Sequence, residues 1–150
     1  MMRVLMYTVA AFLLLVNTAV ASDEVRFVSV DIYLESAEPV AAWQFEFTAV
    51  SGSMQVVGVE NGESPAFNDA PYYDREALQQ GRADRIVVAD YSLREPRDLP
   101  RGEFRVATLH LMLGKGAVPE FKTRLVVATT QLGSPISTAI RFELSSGSEK

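Results

Sequence analysis

Residues 40–50 read Val-Ala-Ala-Trp-Gln-Phe-Glu-Phe-Thr-Ala-Val, and this stretch decides the fold. Apolar residues alternate with polar or small ones, so Trp43, Phe45 and Phe47 fall on one side of an extended chain. A period of two is typical of a β-strand with one buried side and one solvent-facing side. Each buried aromatic side chain contributes roughly 1.5–3 kcal/mol. The alternation therefore predicts a hydrophobic core packed against this strand.

The same alternation predicts further strands before and after this stretch. Ser51-Gly52-Ser53 supplies turn residues, and a second extended run follows as far as Asn61-Gly62. The other predicted strands are Val25–Leu34, Arg85–Leu93, Phe104–Leu113, Arg124–Thr130 and Ala139–Leu144. Short strands separated by turn residues predict an all-β fold, an antiparallel β-sandwich.

One long segment, Glu63–Asp84, lacks spaced apolar residues and is predicted to be mostly irregular. A short helix is predicted inside it, from an N-cap at Asp74 to Gln80, with Gly81 ending it.

The amino-terminal residues are predicted to be a secretory signal peptide. Arg3 gives a basic start, an uncharged apolar run follows, and Ala19-Val20-Ala21 has the small residues of a cleavage site. A retained membrane anchor is the alternative, but polar residues shorten the apolar run below the ~20 residues that a span needs. We expect a secreted or periplasmic protein with no membrane insertion after leader removal. Its predicted divisions are a leader at 1–21, one domain at 22–144 and a flexible tail at 145–150.

Composition narrows the range of partners. The chain has 14 Lys and Arg against 19 Asp and Glu, a net charge of −5. An acidic chain is a poor partner for nucleic acid or an anionic membrane surface. There is no cysteine, so stability must come from packing rather than from disulfides.

Five segments follow one another in a distinctive order. They are Val-Asp-Ile-Tyr-Leu at 30–34, Trp-Gln-Phe-Glu-Phe-Thr at 43–48, Val-Val-Gly-Val-Glu-Asn-Gly at 56–62, Asp-Arg-Ile-Val-Val-Ala-Asp at 84–90 and Gly-Glu-Phe-Arg-Val-Ala-Thr-Leu-His-Leu at 102–111. Together they resemble the cohesin family and the related carbohydrate-binding modules. The resemblance implies a cohesin-like jelly roll of about nine strands that acts as a non-catalytic protein-binding module, with a dockerin-like or cell-surface protein as partner. The alternative that it implies is a module that binds polysaccharide.

The chain also departs from that family. Thr48–Gly52 stands where the family usually has a Tyr-Asp-Pro-like turn. No partner-binding residue is therefore transferred from the family, and the candidate sites come from the residues of this chain.

No catalytic site is predicted. His110 is the only histidine and lies between two leucines of a predicted strand, on its outward side. The sequence has no recognisable nucleophile elbow, and its acidic residues are too scattered to select a pair. A hydrolase is therefore a distant third hypothesis.

A calcium site is one hypothesis for the irregular segment. Asn68, Asp69 and Asp74 offer the oxygen atoms that Ca²⁺ prefers, although the calcium-loop motif is absent. The alternative is that these are solvated loop side chains. No other cofactor is expected.

The polysaccharide alternative depends on tyrosines. Tyr72 and Tyr73 follow Pro71, and Tyr91 ends a predicted strand, so these three rings could form a glycan-binding rim. The alternative is that tyrosines in a turn only pack against their own loop.

The predicted protein-binding surface lies on one side of the strand Phe104–Leu113. Alanine and leucines on the other side suffice for the core, which leaves an uncharged side that is more apolar than a free surface requires. The alternative is that a second sheet, or the loop Arg94–Gly102, covers it. The predicted partner-binding residues are Phe104, Val106, His110 and Met112.

Overall fold

The computed structural model describes residues 25–79, 84–116 and 118–145, which form an all-β antiparallel sandwich. The predicted leader and the tail after Ser145 lie outside the described residues. The strands are β1 (Arg26–Ser36), β2 (Ala42–Ala49), β3 (Met54–Asn61), β4 (Tyr72–Tyr73), β5 (Arg85–Tyr91), β6 (Gly102–Leu113), β7 (Phe121–Thr129) and β8 (Ala139–Ser145).

The strands form two four-stranded sheets. Sheet A has the order β3-β6-β1-β8, and sheet B has the order β4-β5-β2-β7. Most successive strands lie in opposite sheets, as in double-sheet jelly rolls. The predicted all-β sandwich is therefore confirmed. The named strands, with an isolated bridge between Thr129 and Pro135, fit the expected number of about nine.

The core lies between the sheets and is centred on β2. Trp43, Phe45 and Phe47 are fully buried, and the Trp43 and Phe45 rings stack with centroids 5.7 Å apart. Across the core, β1 contributes Ile32 and Leu34, which belong to the same hydrophobic cluster. The buried sides predicted for β1 and β2 are confirmed.

Strand β6 does not keep one alternation along its length. Ile32 of β1 pairs with Ala107, whereas the next residue, Tyr33, pairs with Arg105. Val106 is therefore an extra residue, a β-bulge. Because side chains alternate with a period of two, one extra residue reverses which side each later residue faces.

The irregular segment contains the predicted helix, α1 (Arg75–Gln79), which begins directly after Asp74. Gln80 and Gly81 lie outside the described residues. The two residues of β4 were predicted to be irregular, yet they pair with β5 at an edge of sheet B. Within the described ranges, no helix has the length and apolar character needed to span a membrane.

Candidate functional site

The residues predicted to bind a protein partner do not share one face of β6. Phe104 and Val106 are only 5% and 2% exposed and belong to the core. His110 and Met112 lie on the outer side of sheet A, where Met112 is paired with Phe27, a residue that is 63% exposed. The predicted facing is wrong for Phe104 and Val106 because the bulge at Val106 reverses the alternation.

The structure places Ser29, His110 and Glu60 together on the outer side of sheet A. The hydroxyl oxygen of Ser29 is 3.1 Å from Nδ1 of His110, and Oε1 of Glu60 is 3.0 Å from Nε2. The order resembles a Ser–His–acid relay, which also needs an oxyanion hole and a concave substrate site. Ser29 and His110 are paired across β1 and β6, in the middle of strands whose N–H groups serve the sheet. The trio forms a polar contact between side chains of three neighbouring strands of sheet A.

Ion pairs occupy much of the remaining outer side of sheet A. Arg141 contacts Glu103 at 2.8 Å and Glu143 at 2.6 Å, and its guanidinium lies 4.1 Å from the centre of the Tyr33 ring. The hydrogen bond from Arg141 lowers the pKa of Glu103. These charges compensate one another within the sheet.

The outer side of sheet B is different, because two adjoining rows of it carry no charge. We call these rows the uncharged face. One row crosses all four strands through Tyr72, Ala89, Gln44 and Val127. The next row contains Tyr91, Ala42 and Thr129.

A charged cluster bounds the uncharged face. The carboxylate of Glu46 on β2 contacts Arg85 on β5 at 2.5 Å and Arg124 on β7 at 3.3 Å. The hydrogen bond from Arg85 is the largest cause of the lowered pKa of Glu46. One carboxylate thereby joins three neighbouring strands of sheet B.

The predicted trio of tyrosines is divided in the structure. Tyr72 and Tyr91 are 62% and 55% exposed, and their rings are nearly parallel, at 10°, with centroids 6.0 Å apart. Tyr73 instead packs against the core, with the guanidinium of Arg75 5.5 Å from its ring centre. The hydroxyl of Tyr91 raises the pKa of Tyr72 through a hydrogen bond. The pair was within reach of sequence analysis, but the pairing of β4 with β5 that creates it was not.

Beside this tyrosine pair lies a cleft of about 420 Å³, which we call the tyrosine cleft. Asn68 and Asp69, two of the predicted calcium ligands, line it, whereas Asp74 does not. No three His, Cys, Asp or Glu side chains in the described part of the chain are placed to hold a metal ion. The predicted set of Asn68, Asp69 and Asp74 contains only two such side chains, so the calcium site stays a prediction.

The cleft also contains Asp90, which the sequence analysis did not select. The residue is only 8% exposed, and its Oδ1 accepts the N–H of Tyr91 at 2.7 Å. Burial, more than the nearby charge of Asp69, raises the pKa of Asp90. The signal was present in the sequence, since Ile86, Val88 and Asp90 share the buried phase of β5. A carboxylate on a buried phase indicates a functional or structural role for it.

No protein-family model, curated protein or solved structure matches the chain. The resemblance to cohesins therefore stays a prediction from the sequence pattern.

Proposed function

We propose that this chain is an exported, non-catalytic module that binds another protein through the uncharged face of sheet B. The cohesin-like pattern motivates the class, and the proposed surface replaces the one predicted on β6. The partner is a dockerin-like or cell-surface protein that contacts the face and its tyrosine rim.

One observation supports this surface above the others. Tyr72 and Tyr91 stand more than half exposed beside the uncharged residues of sheet B. Protein interfaces are depleted of charge at their centre and enriched in tyrosine, which often carries much of the binding energy. The outer side of sheet A differs, because it carries the charges of Arg141, Glu103 and Glu143.

A pair of matched charge insertions tests the surface. Ala89→Arg adds a cation at the centre of the uncharged face, and Gln55→Arg adds one on sheet A beside Met112, its partner in the β3–β6 register. Each protein is used to capture partners from the periplasm and medium of the source cell, and the partners are identified by mass spectrometry. Ala89→Arg should abolish a capture that Gln55→Arg retains.

The opposite result would identify another surface. Capture that survives Ala89→Arg contradicts the proposed face. If Gln55→Arg alone abolishes it, the partner binds near His110 and Met112 on sheet A instead.

The absence of catalysis is tested separately. We expect no turnover of p-nitrophenyl acetate beyond the rate of the Ser29→Ala variant. Turnover that disappears in Ser29→Ala would assign catalysis to the contact of Ser29, His110 and Glu60.

A specific observation also favours polysaccharide binding as a second candidate function. The parallel rings of Tyr72 and Tyr91 adjoin hydrogen-bonding side chains of the tyrosine cleft, and sugars bind by stacking on aromatic rings beside such groups. Affinity electrophoresis through soluble polysaccharides tests it. Tyr72→Ala and Tyr91→Ala should lose retardation that Tyr33→Ala, on sheet A, retains.

Export has its own test. Mass spectrometry of the protein from its source cell should find Ser22 at the amino terminus. Recovery of the uncleaved chain from the membrane fraction would contradict the proposed export as a soluble protein.

A further inference from the structure

Asp90 has a carboxylate oxygen that needs a hydrogen-bond donor. Its Oδ1 accepts the Tyr91 N–H, but Oδ2 is buried and has no partner within residues 25–79, 84–116 and 118–145. A buried carboxylate oxygen without a donor is costly, because water no longer solvates it. Asp90 lines the tyrosine cleft, so a donor that enters the cleft can reach Oδ2 once a small rotation of the side chain exposes this atom.

The charge of the cleft limits what that donor can be. Asp69 lines the same cleft, and its charge is one cause of the raised pKa of Asp90. Among the described residues, no ion pair involves Asp69 or Asp90, and none joins either to Arg94 on the cleft wall. Within the described part of the chain, neither carboxylate therefore has an ion-pair partner. A positively charged donor would supply both the missing hydrogen bond and a compensating charge.

The rim of the cleft suits a cation as well. Tyr72 and Tyr91 line it, and the faces of aromatic rings attract ammonium and guanidinium groups. A volume of about 420 Å³ accommodates one long side chain. A neutral sugar hydroxyl can donate to Oδ2, but it leaves the negative charge uncompensated.

We propose that the tyrosine cleft receives a lysine or arginine side chain of the protein partner, with its cationic group at Asp90. This inference rests on the proposed protein-binding function and names the chemistry of the partner. The uncharged face contacts the surrounding partner surface, and the cleft selects a partner with a basic residue at the matching position.

Small-molecule probes test the cleft without knowledge of the partner. The probes are the Nα-acetyl N-methylamides of lysine and arginine, with the norleucine derivative as a neutral control of similar shape. Titrations followed by the amide NMR signals of Asp69, Tyr91 and Ser92 should show saturable binding of the two cations and none of norleucine. Binding should weaken as salt is raised, because charge attraction is screened.

Two carboxylate variants identify the group responsible. Asp90→Asn keeps the shape of the side chain and should weaken cation binding by about tenfold or more, as expected for loss of a charge-assisted hydrogen bond. Asp98→Asn, which alters a carboxylate paired with Arg97 outside the cleft, should leave it unchanged. Thermal unfolding checks that each variant is folded, and Asp69→Asn replaces Asp90→Asn if the latter is not.

The results separate this inference from the proposed function. Equal binding of norleucine, binding of maltotriose but not of the cations, or unchanged affinity in the carboxylate variants overturns the cationic site. If Ala89→Arg abolishes partner capture while Asp90→Asn does not, the inference fails and the proposed function stands. If Ala89→Arg captures the partner normally, the proposed function fails.

Discussion

Glu63 satisfies both backbone groups of Arg105. Its N–H donates to the Arg105 carbonyl oxygen at 3.1 Å, and its Oε1 accepts the Arg105 N–H at 3.0 Å. Arg105 directly precedes the bulge residue Val106, where the ladder between β1 and β6 shifts. The β3–β6 ladder ends at the pair of Asn61 with Ala107, so these two bonds pair Arg105 groups that would otherwise lack a partner on the β3 side. The residues after β3 therefore extend the pairing of β6 up to the residue before the bulge.

Gly62 should be intolerant of substitution because it lies against this bulge. A Cβ atom there would overlap the carbonyl oxygen of Arg105 and lie 2.7 Å from Cα of Val106. Gly62→Ala should lower the free energy of unfolding in urea by about 1–3 kcal/mol, as overpacking does. Gly58→Ala is the control, since its nearest atom, on His110, is at an ordinary 3.5 Å. Equal stability of the two variants would contradict the close approach.

The buried and outer sides of β6 should respond differently to an added charge. Val106→Glu places a carboxylate in the core and should cost roughly 3–5 kcal/mol, enough to unfold much of the protein. Met112→Lys lies on the outer side and should change stability by about 0.5 kcal/mol or less. Circular dichroism during urea unfolding measures both. A stable Val106→Glu variant would contradict the buried position of Val106 and support the uniform alternation predicted for this strand.

Strand β2 allows the same comparison of a buried and an outer side at two adjacent residues. Trp43→Ala should cost about 3–5 kcal/mol, because it leaves a large cavity beside Phe45 and Phe67. Gln44→Ala, on the outer side, should stay within about 0.5 kcal/mol. Similar losses from the two substitutions would show that the buried side of β2 is misassigned.

Asp90 should reduce stability at neutral pH. Its pKa is raised in the folded state, so the folded protein holds this proton more tightly than the unfolded chain does. The stability gained from this tighter proton binding is fully present below the ordinary pKa of an aspartate, about 3.9. It is lost as pH rises through the raised pKa of Asp90. Asp90→Asn should therefore be more stable than wild type at pH 7, and the difference should shrink towards pH 3. A difference independent of pH would show that Asp90 is not destabilised by its charge.

Most of the fold could be predicted from the sequence because its strands obey simple alternation. The buried sides of β1 and β2 follow directly from residues such as Ile32 and Phe45, and the helix follows from Asp74 and the residues after it. These features are local, since each depends on neighbours within one strand or one turn. They require no knowledge of which strands pair.

The features that could not be predicted depend on contacts between distant segments. The bulge at Val106 arises in the pairing of β6 with β1 and lies beside Gly62 of a third segment, and the sequence of one strand does not record an extra residue. The stacking of Tyr72 on Tyr91 depends likewise on the pairing of β4 with β5. A candidate site predicted from one strand was therefore unreliable. The tyrosine cleft could not be predicted, because its lining residues come together only through the pairing of strands.

The position of β1 in sheet A has a consequence for the time course of folding. β1 lies between β6 and β8, so Val30 is opposite Leu109 on one side and Leu144 on the other. Both neighbours come late in the chain, and pairing with them closes long loops, which slows folding to the range of milliseconds to seconds. A chain synthesised from its amino terminus cannot complete sheet A until its last strand has left the ribosome. Export that begins during synthesis would thus move the chain before sheet A can close.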